Sequence, residues 1–203
     1  MYRVSVEPSW WCTHESRCLL ASGCSLVQAN IPREGMVCLG SVGYCRMHSK
    51  WPACDPYPEW LPWGRKIYRE GNPGEAFYKP TDVPKRIISQ VRKCPPSGRW
   101  AASEIVQFVE EHRAYVLGGY PVALHPYDGT EKPYTRFPWA IPKKLTAAID
   151  FGIAADGRVL PIEVNDPYAI GWYGPLTDYK IYTEFVLAGW EHMCSTHKEA
   201  CPR

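Results

Sequence analysis

The chain has 203 residues, of which 45% are hydrophobic and 22% are charged, proportions typical of a globular protein that buries a core. The formal net charge of +2 is too small to argue for nucleic acid binding from overall electrostatics. No apolar run approaches the roughly 20 residues of a membrane span, and the N-terminus lacks the apolar core of a signal peptide. We therefore predict a cytosolic protein of one or two compact domains.

The cysteine content bears on disulfides and metal binding. Nine cysteines, an odd number, occur in a chain without a recognisable secretion signal, so we expect free, mostly buried thiols instead of a disulfide framework. A zinc site is the alternative, although no CxxC pair, the stronger zinc spacing, is present. Such a site would join the two termini through Cys12, His14, Cys18, Cys24, Cys194, His197 and Cys201.

The N-terminal part has the pattern of a small α/β unit. Residues 2–6 alternate weakly as a strand, and residues 15–24 carry a helical apolar spacing that ends at Gly23. Residues 36–42 form a short apolar run that ends in Gly-Ser, as a buried strand followed by a loop does.

Residues 50–63 are dense in tryptophan and proline. The prolines exclude a regular helix through most of this segment, although a helix start at Pro58 is compatible with them. Two interpretations stay open: aromatic side chains that pack over a core, or a platform on which a base or substrate stacks.

Strand patterns dominate the middle of the chain. One strand delivers Lys79, a second is predicted over residues 103–109, and a third over residues 110–117 turns into a return strand over residues 120–127. Glycine and prolines break residues 128–144 into a loop with at most a short helical turn. The broad apolar face of residues 177–194 predicts a C-terminal helix.

Between that loop and that helix, the sequence predicts a β-hairpin with acids on both arms. The first arm is apolar except for Asp150, and Asp156-Gly157 supplies the positive φ of a tight turn. On the return arm, Glu163 and Asn165 point to one face, and the turn brings Glu163 roughly level with Asp150. Oxygen donors of this kind suit Mg²⁺. The alternative is an ordinary solvated strand face, but the apolar flanks make a lone Asp150 costly unless it has a partner.

The order of these motifs resembles the ATP-grasp superfamily. Residues 150–151, the turn, and the Ile-Glu-Val-Asn run at 162–165 are similar to the metal-binding end of those enzymes. The Gly-Trp-Tyr-Gly loop at 171–174 is most similar to one clade, frequent in bacteriophages and named for one arginine and two lysines. Its three basic residues are matched here by Arg113, Lys79 and Lys85.

The resemblance implies an α/β (α+β) ATP-grasp fold, with two α+β subdomains that hold ATP. A reduced α/β N-terminal domain over residues 1–70 would precede an ATP-grasp core over residues 71–203. Mg²⁺ would be held by Asp150, Glu163 and Asn165. The residues implied to bind the nucleotide are Lys79, Lys85, Glu104, Ile105, Val106, Glu111 and Arg113, with Arg113 and Lys85 also assigned to catalysis.

By the same resemblance, we expect an ATP- and Mg²⁺-dependent ligase that joins a carboxylate to an amine through an acyl phosphate. The substrates could be a peptide, an RNA or a metabolite. A catalytically inactive, nucleotide-binding phage protein that binds a host protein or sequesters a ligand is the first alternative, because the middle of the chain is shortened and the N-terminal domain is small. A zinc-stabilised interaction module, argued from the Cys and His content, is the second.

Overall fold

The computed structural model describes residues 1–47, 51, 54–81, 99–127 and 136–197. Within these ranges the strands form one parallel and two antiparallel sheets. No helix in them is long and apolar enough to cross a membrane. Lys85, one of the predicted site residues, lies outside the described ranges.

The N-terminal part forms the predicted small α/β unit. Its strands β1 (Arg3–Val6), β2 (Ser25–Gln28) and β3 (Val37–Leu39) make a parallel sheet in the order β2-β1-β3. Helix α1 (His14–Ala21) crosses from β1 to β2, and the short α2 (Val42–Cys45) follows β3. Sequence analysis missed β2, because this four-residue edge strand has no fully buried side chain and hence no clear apolar pattern.

A small antiparallel sheet comes next, built from β4 (Ile67–Tyr68), β5 (Phe77–Pro80) and β6 (Trp100–Ser103) in the order β4-β6-β5. As predicted, a strand delivers Lys79. The strand predicted over residues 103–109 is wrong, because β6 ends at Ser103 and residues 104–107 have no regular structure. The chain leaves one sheet for the next at this point, so the polar-apolar alternation there does not belong to one strand.

The large antiparallel sheet has the order β10-β9-β7-β8. Its strands are β7 (Phe108–Leu117), β8 (Tyr120–Pro126), β9 (Ala147–Ala154) and β10 (Val159–Asn165). One face buries an apolar cluster formed by Leu61, Ala114, Val116, Phe137, Ala147, Ile149, Phe151 and Val164. The turn between β9 and β10 is the predicted one, with Gly157 at a φ of 84°.

Helix α3 (Tyr179–Thr196) packs the other face of this sheet onto the N-terminal unit. Tyr182, Phe185 and Trp190 of α3 share one core with Leu19 and Tyr115. Trp51 is fully buried in that core, in edge contact with Trp190. Tyr57 of the same segment is also buried, while Trp60 and Trp63 are half-buried against the apolar cluster of the large sheet. The helix start considered at Pro58 is a single turn.

The cysteines only partly follow expectation. Six of those that the structure describes are free, and Cys18, Cys24, Cys38 and Cys45 are buried. Cys194 is disulfide-bonded, so the expectation of free thiols is wrong there, because a cysteine count does not show which thiols are close in space. Over the described ranges, no three His, Cys, Asp or Glu side chains are placed to hold a metal ion, which leaves the zinc alternative without support there.

Candidate functional site

Three charged side chains lie in one row across the large sheet. Arg113 of β7 is the register partner of Asp150 of β9, and Asp150 is the partner of Glu163 of β10. A β-bulge between Pro161 and Glu163 creates the second match. Without that bulge Glu163 would pair with Ile149 and face the apolar cluster, because one residue of slip exchanges the two faces of a strand. Pro161 favours the irregularity, since it lacks a backbone N–H and β10 is an edge strand.

Asp150 is buried and fully engaged. The Arg113 guanidinium donates from Nε to Oδ1 at 2.7 Å and from Nη2 to Oδ2 at 2.9 Å. The Asn165 amide donates from Nδ2 to Oδ2 at 3.0 Å. Burial alone would lower the pKa of Arg113, but the Asp150 carboxylate outweighs it and raises that pKa well above its ordinary value. The partner predicted for Asp150 from its apolar flanks is therefore Arg113, which binds both of its carboxylate oxygens.

Lys79 bridges the two antiparallel sheets. Its ammonium donates to Glu163 Oε2, so an ion pair joins β5 of the small sheet to β10 of the large one. The Lys79 side chain is 28% exposed and that of Glu163 is 7% exposed. The acids and two of the three predicted basic residues thus lie together where the two sheets meet.

Two tyrosines enclose the Arg113 guanidinium. The rings of Tyr127 and Tyr173 each lie 5.1 Å from its central carbon, and Arg113 Nη2 also donates to the Tyr127 hydroxyl at 2.5 Å. Burial and the neighbouring Asp150 carboxylate raise the pKa of Tyr127, so its hydroxyl stays protonated. Arg113 is consequently held in one orientation by these aromatic and hydrogen-bonding contacts together.

Hydrogen bonds from two other elements hold the loop 171–174, which carries Tyr173. Tyr115 Oη donates to the Gly171 carbonyl at 2.7 Å and accepts the Tyr173 N–H at 3.1 Å. From the N-terminal unit, Glu15 accepts the Trp172 N–H at 2.9 Å. Helix α1 therefore contacts the loop that encloses Arg113.

Comparison with known proteins decides the family. The model of an ATP-grasp domain, family 2 of the clade named for one arginine and two lysines, matches residues 73–183, which is more than half of the chain. The chain belongs to this ATP-grasp family. The resemblance and the fold class inferred from the sequence are confirmed.

Solved ATP-grasp structures resemble this one at low sequence identity. A RimK domain protein ATP-grasp from Sphaerobacter thermophilus is 10% identical, with a TM-score of 0.46, and the match covers 93% of this chain and 98% of that one. The D-alanine–D-alanine ligase from Bacillus anthracis complexed with ATP is 11% identical, with a TM-score of 0.38 and coverage of 98% and 99%. The ATP-grasp ligase PsnB complexed with minimal precursor is 13% identical, with a TM-score of 0.32 and coverage of 66% and 55%. The comparison with curated proteins finds no match.

The remaining residues predicted to bind the nucleotide occupy two places. Glu104, Ile105 and Val106 form the connection between the small and large sheets, where the Glu104 N–H donates to the Lys66 carbonyl at 2.9 Å. Glu111 lies two residues before Arg113 on the same face of β7. Glu111 is exposed, yet partial desolvation, followed by the charges of Asp150 and Glu163, raises the pKa of its carboxyl.

The donor set of the ATP-grasp site is compatible with Mg²⁺ but would not complete its shell. Asp150, Glu163 and Asn165 offer carboxylate and amide oxygens, the hard ligands that Mg²⁺ prefers. Because the described residues hold no group of three metal-binding carboxylates, imidazoles or thiols, the chain supplies only part of a coordination sphere there. The remaining ligands would have to come from nucleotide phosphates and water.

Sequence analysis missed several residues that hold the site residues in place. Tyr115, Tyr127, Glu15 and Arg65 each contact a site residue or the segment that carries it. Tyr127 could have been found from the sequence. It follows His125, the residue that pairs with Arg113 in the hairpin, by two positions, so the predicted strand pairing already places it near Arg113. For Glu15 and Arg65 the sequence carries no such signal, because their partners are 157 and 97 residues away.

Proposed function

We propose that the protein is an ATP- and Mg²⁺-dependent ligase that activates a carboxylate as an acyl phosphate and transfers the acyl group to an amine or a related nucleophile. Membership of the ATP-grasp family supports ATP-dependent ligation as the class of reaction. The observation that carries the proposal is the Arg113-Asp150-Glu163 row, with Lys79 reaching it from the opposite sheet.

The acids and the lysine have separate tasks in this proposal. Asp150, Glu163 and Asn165 would hold Mg²⁺, which when bound would neutralise charge on the β- and γ-phosphate oxygens. Lys79 would exchange its contact with Glu163 for a phosphate oxygen, where a compact ammonium acts as a point charge. Lys85 remains assigned to the phosphates by resemblance to the clade alone.

Arg113 has limited freedom to bind a phosphate. Its Nε and Nη2 donate to Asp150 and Tyr127, so a contact with the transferred phosphoryl group or the acyl phosphate falls to Nη1. The held guanidinium is already oriented, and this lowers the cost of charge stabilisation when the reaction occurs.

The reaction requires no nucleophile from the protein. A carboxylate oxygen of the substrate attacks the γ-phosphorus, the bond to the β-γ bridging oxygen breaks, and ADP leaves. The amine then attacks the acyl carbon, loses a proton, and inorganic phosphate leaves. The site contributes positioning and charge neutralisation to both steps.

A nucleotide-binding protein without ligase activity is the second candidate. The observation that favours it is the pairing of the charged groups: Arg113 with Asp150, and Lys79 with Glu163. A ligand would have to separate at least the Lys79 pair before phosphates and metal could take their places. ATP consumption that depends on an added carboxylate distinguishes the two candidates, since a binding protein would show none.

Glu163→Gln tests the site directly. The substitution removes one metal-binding charge and the partner of Lys79, and we expect the affinity for Mg·ATP to fall about 10- to 100-fold, as for loss of a metal-site group. Asp156→Asn, an exposed acid at the turn of the same hairpin, is the matched control and should bind like wild type. Isothermal titration calorimetry measures both; unchanged Mg·ATP affinity in Glu163→Gln would count against the site.

A further inference from the structure

Arg65 lies where three parts of the molecule meet. Its guanidinium lies over the rings of Trp63, at 5.9 Å, and Phe108, at 5.7 Å. Its Nη2 donates to the backbone carbonyl of Ile162 at 2.8 Å. The Trp/Pro-rich segment, the start of β7 and the hairpin of β9 and β10 are thus joined by one side chain.

The carbonyl that Arg65 holds belongs to the β-bulge. Ile162 is the residue of β10 without a register partner in β9, and Glu163 follows it directly. A bulge leaves backbone groups outside the ladder, and a buried carbonyl without a donor is destabilising. The Arg65 contact satisfies this carbonyl and so stabilises the register in which Glu163 faces Asp150.

The surroundings of Arg65 fit a fixed supporting role. Its guanidinium interacts electrostatically with Tyr57, Glu163 and Glu104, two of which belong to the proposed site. A guanidinium is planar and stacks on aromatic faces while donating in its plane. The two rings therefore fix the direction in which Nη2 points.

We infer that Arg65 is a positioning residue for the ligase reaction: it stabilises the Ile162 bulge and thereby directs the Glu163 carboxylate toward Asp150 and Lys79. This inference rests on the proposed function. It assigns Arg65 no contact with substrate, and it predicts an effect on metal-dependent binding in particular.

The test compares two arginines of the same region. Arg65→Met keeps the apolar stem and removes the donor, whereas Arg158→Met does the same to an exposed arginine that donates to the Gly64 carbonyl at 3.2 Å. For Arg65→Met we expect the Mg²⁺ concentration at half-saturation, measured at fixed ATP, to rise about tenfold or more, as for supporting partners of metal ligands. Metal-free ATP binding should stay within about twofold, and Arg158→Met should match wild type in both measurements.

The outcomes separate this inference from the proposed function. Absence of Mg·ATP binding by the wild-type protein would overturn the proposed function itself. Normal wild-type binding with an unshifted Mg²⁺ requirement in Arg65→Met, or with equal losses of metal-free and metal-dependent binding, would overturn only the role of Arg65. If Arg65→Met does not fold, Arg65→Lys replaces it, because the cation and most of the packing remain. A smaller but measurable rise in the Mg²⁺ requirement is then expected, and no rise overturns the inference.

Discussion

At the scale of single residues, the site is built around a buried acid. Asp150 is 1% exposed and accepts from both Arg113 and Asn165. Burying a carboxylate is unfavourable unless it is paired and hydrogen-bonded, and removing one partner of a buried pair typically costs about 3–5 kcal/mol. Arg113 is therefore structural as well as a candidate for phosphate binding, and a variant at this position would have to be assessed for stability before activity.

His125 should make folding sensitive to acid. It packs between Tyr115, Trp172 and Gly174, and burial lowers its pKa below the ordinary value of about 6.5, against a smaller opposing effect of Asp178. The unfolded chain takes up a proton at a pH where the folded protein still keeps the imidazole neutral, so stability falls as the pH falls below about 6.5. His125→Gln should lose less unfolding free energy between about pH 7.5 and 5.5 than wild type, measured by urea denaturation. Equal losses in the two proteins would contradict this.

At the scale of elements, the loop 171–174 depends on a strand and a helix that are distant in sequence. Tyr115 of β7 fastens it through one hydroxyl that both donates and accepts, while Glu15 of α1 holds the Trp172 N–H. The loop brings Tyr173 against Arg113, so the order of this loop and the orientation of the guanidinium are coupled.

Tyr115→Phe should destabilise the protein through that loop. The substitution leaves the Gly171 carbonyl and the Tyr173 N–H without their partner, and unsatisfied buried groups of this kind cost about 1–3 kcal/mol. Tyr120→Phe, at an exposed position on the neighbouring strand, is the matched control and should be near neutral. Urea denaturation of the two variants gives the comparison; similar unfolding free energies would show that the hydroxyl contacts are unimportant.

At the scale of the whole molecule, an ion pair joins the two antiparallel sheets. Lys79 and Glu163 form this ion pair from one sheet to the other, and the segment 104–107 is the covalent connection between the sheets. A ligand that binds both sheets stabilises the folded protein by mass action, by about 2.7 kcal/mol at a concentration about one hundred times its Kd.

Mg·ATP should therefore raise the melting temperature, and ATP with a chelator should raise it less. In Lys79→Met we expect most of the Mg·ATP shift to disappear, because the cation that pairs with Glu163, and that is proposed to bind a phosphate, is gone. Lys143→Met, at an exposed lysine of the turn before β9, should keep the full shift. A thermal-shift titration measures all three proteins, and a full shift in Lys79→Met would argue against the proposed role of this residue.

Sequence alone was sufficient for the small α/β unit, the strand that delivers Lys79, the hairpin turn and the C-terminal helix. These features depend on local patterns: alternation, helical spacing and the conformational preferences of Asp-Gly. The family was recognised differently, by the resemblance of the ordered motifs to a known clade. Bacteriophage origin, cytosolic location, the domain limits and the roles of the site residues stay predictions.

Tertiary structure decided how the site is assembled. The bulge at Ile162 sets which face Glu163 occupies, and a pattern of alternating residues does not record one extra residue in a ladder. The bidentate Arg113-Asp150 pair and the supports from Glu15 and Arg65 join segments far apart in the chain. Local propensity carries no information about such contacts, because they exist only when the sheets and the N-terminal unit have packed together.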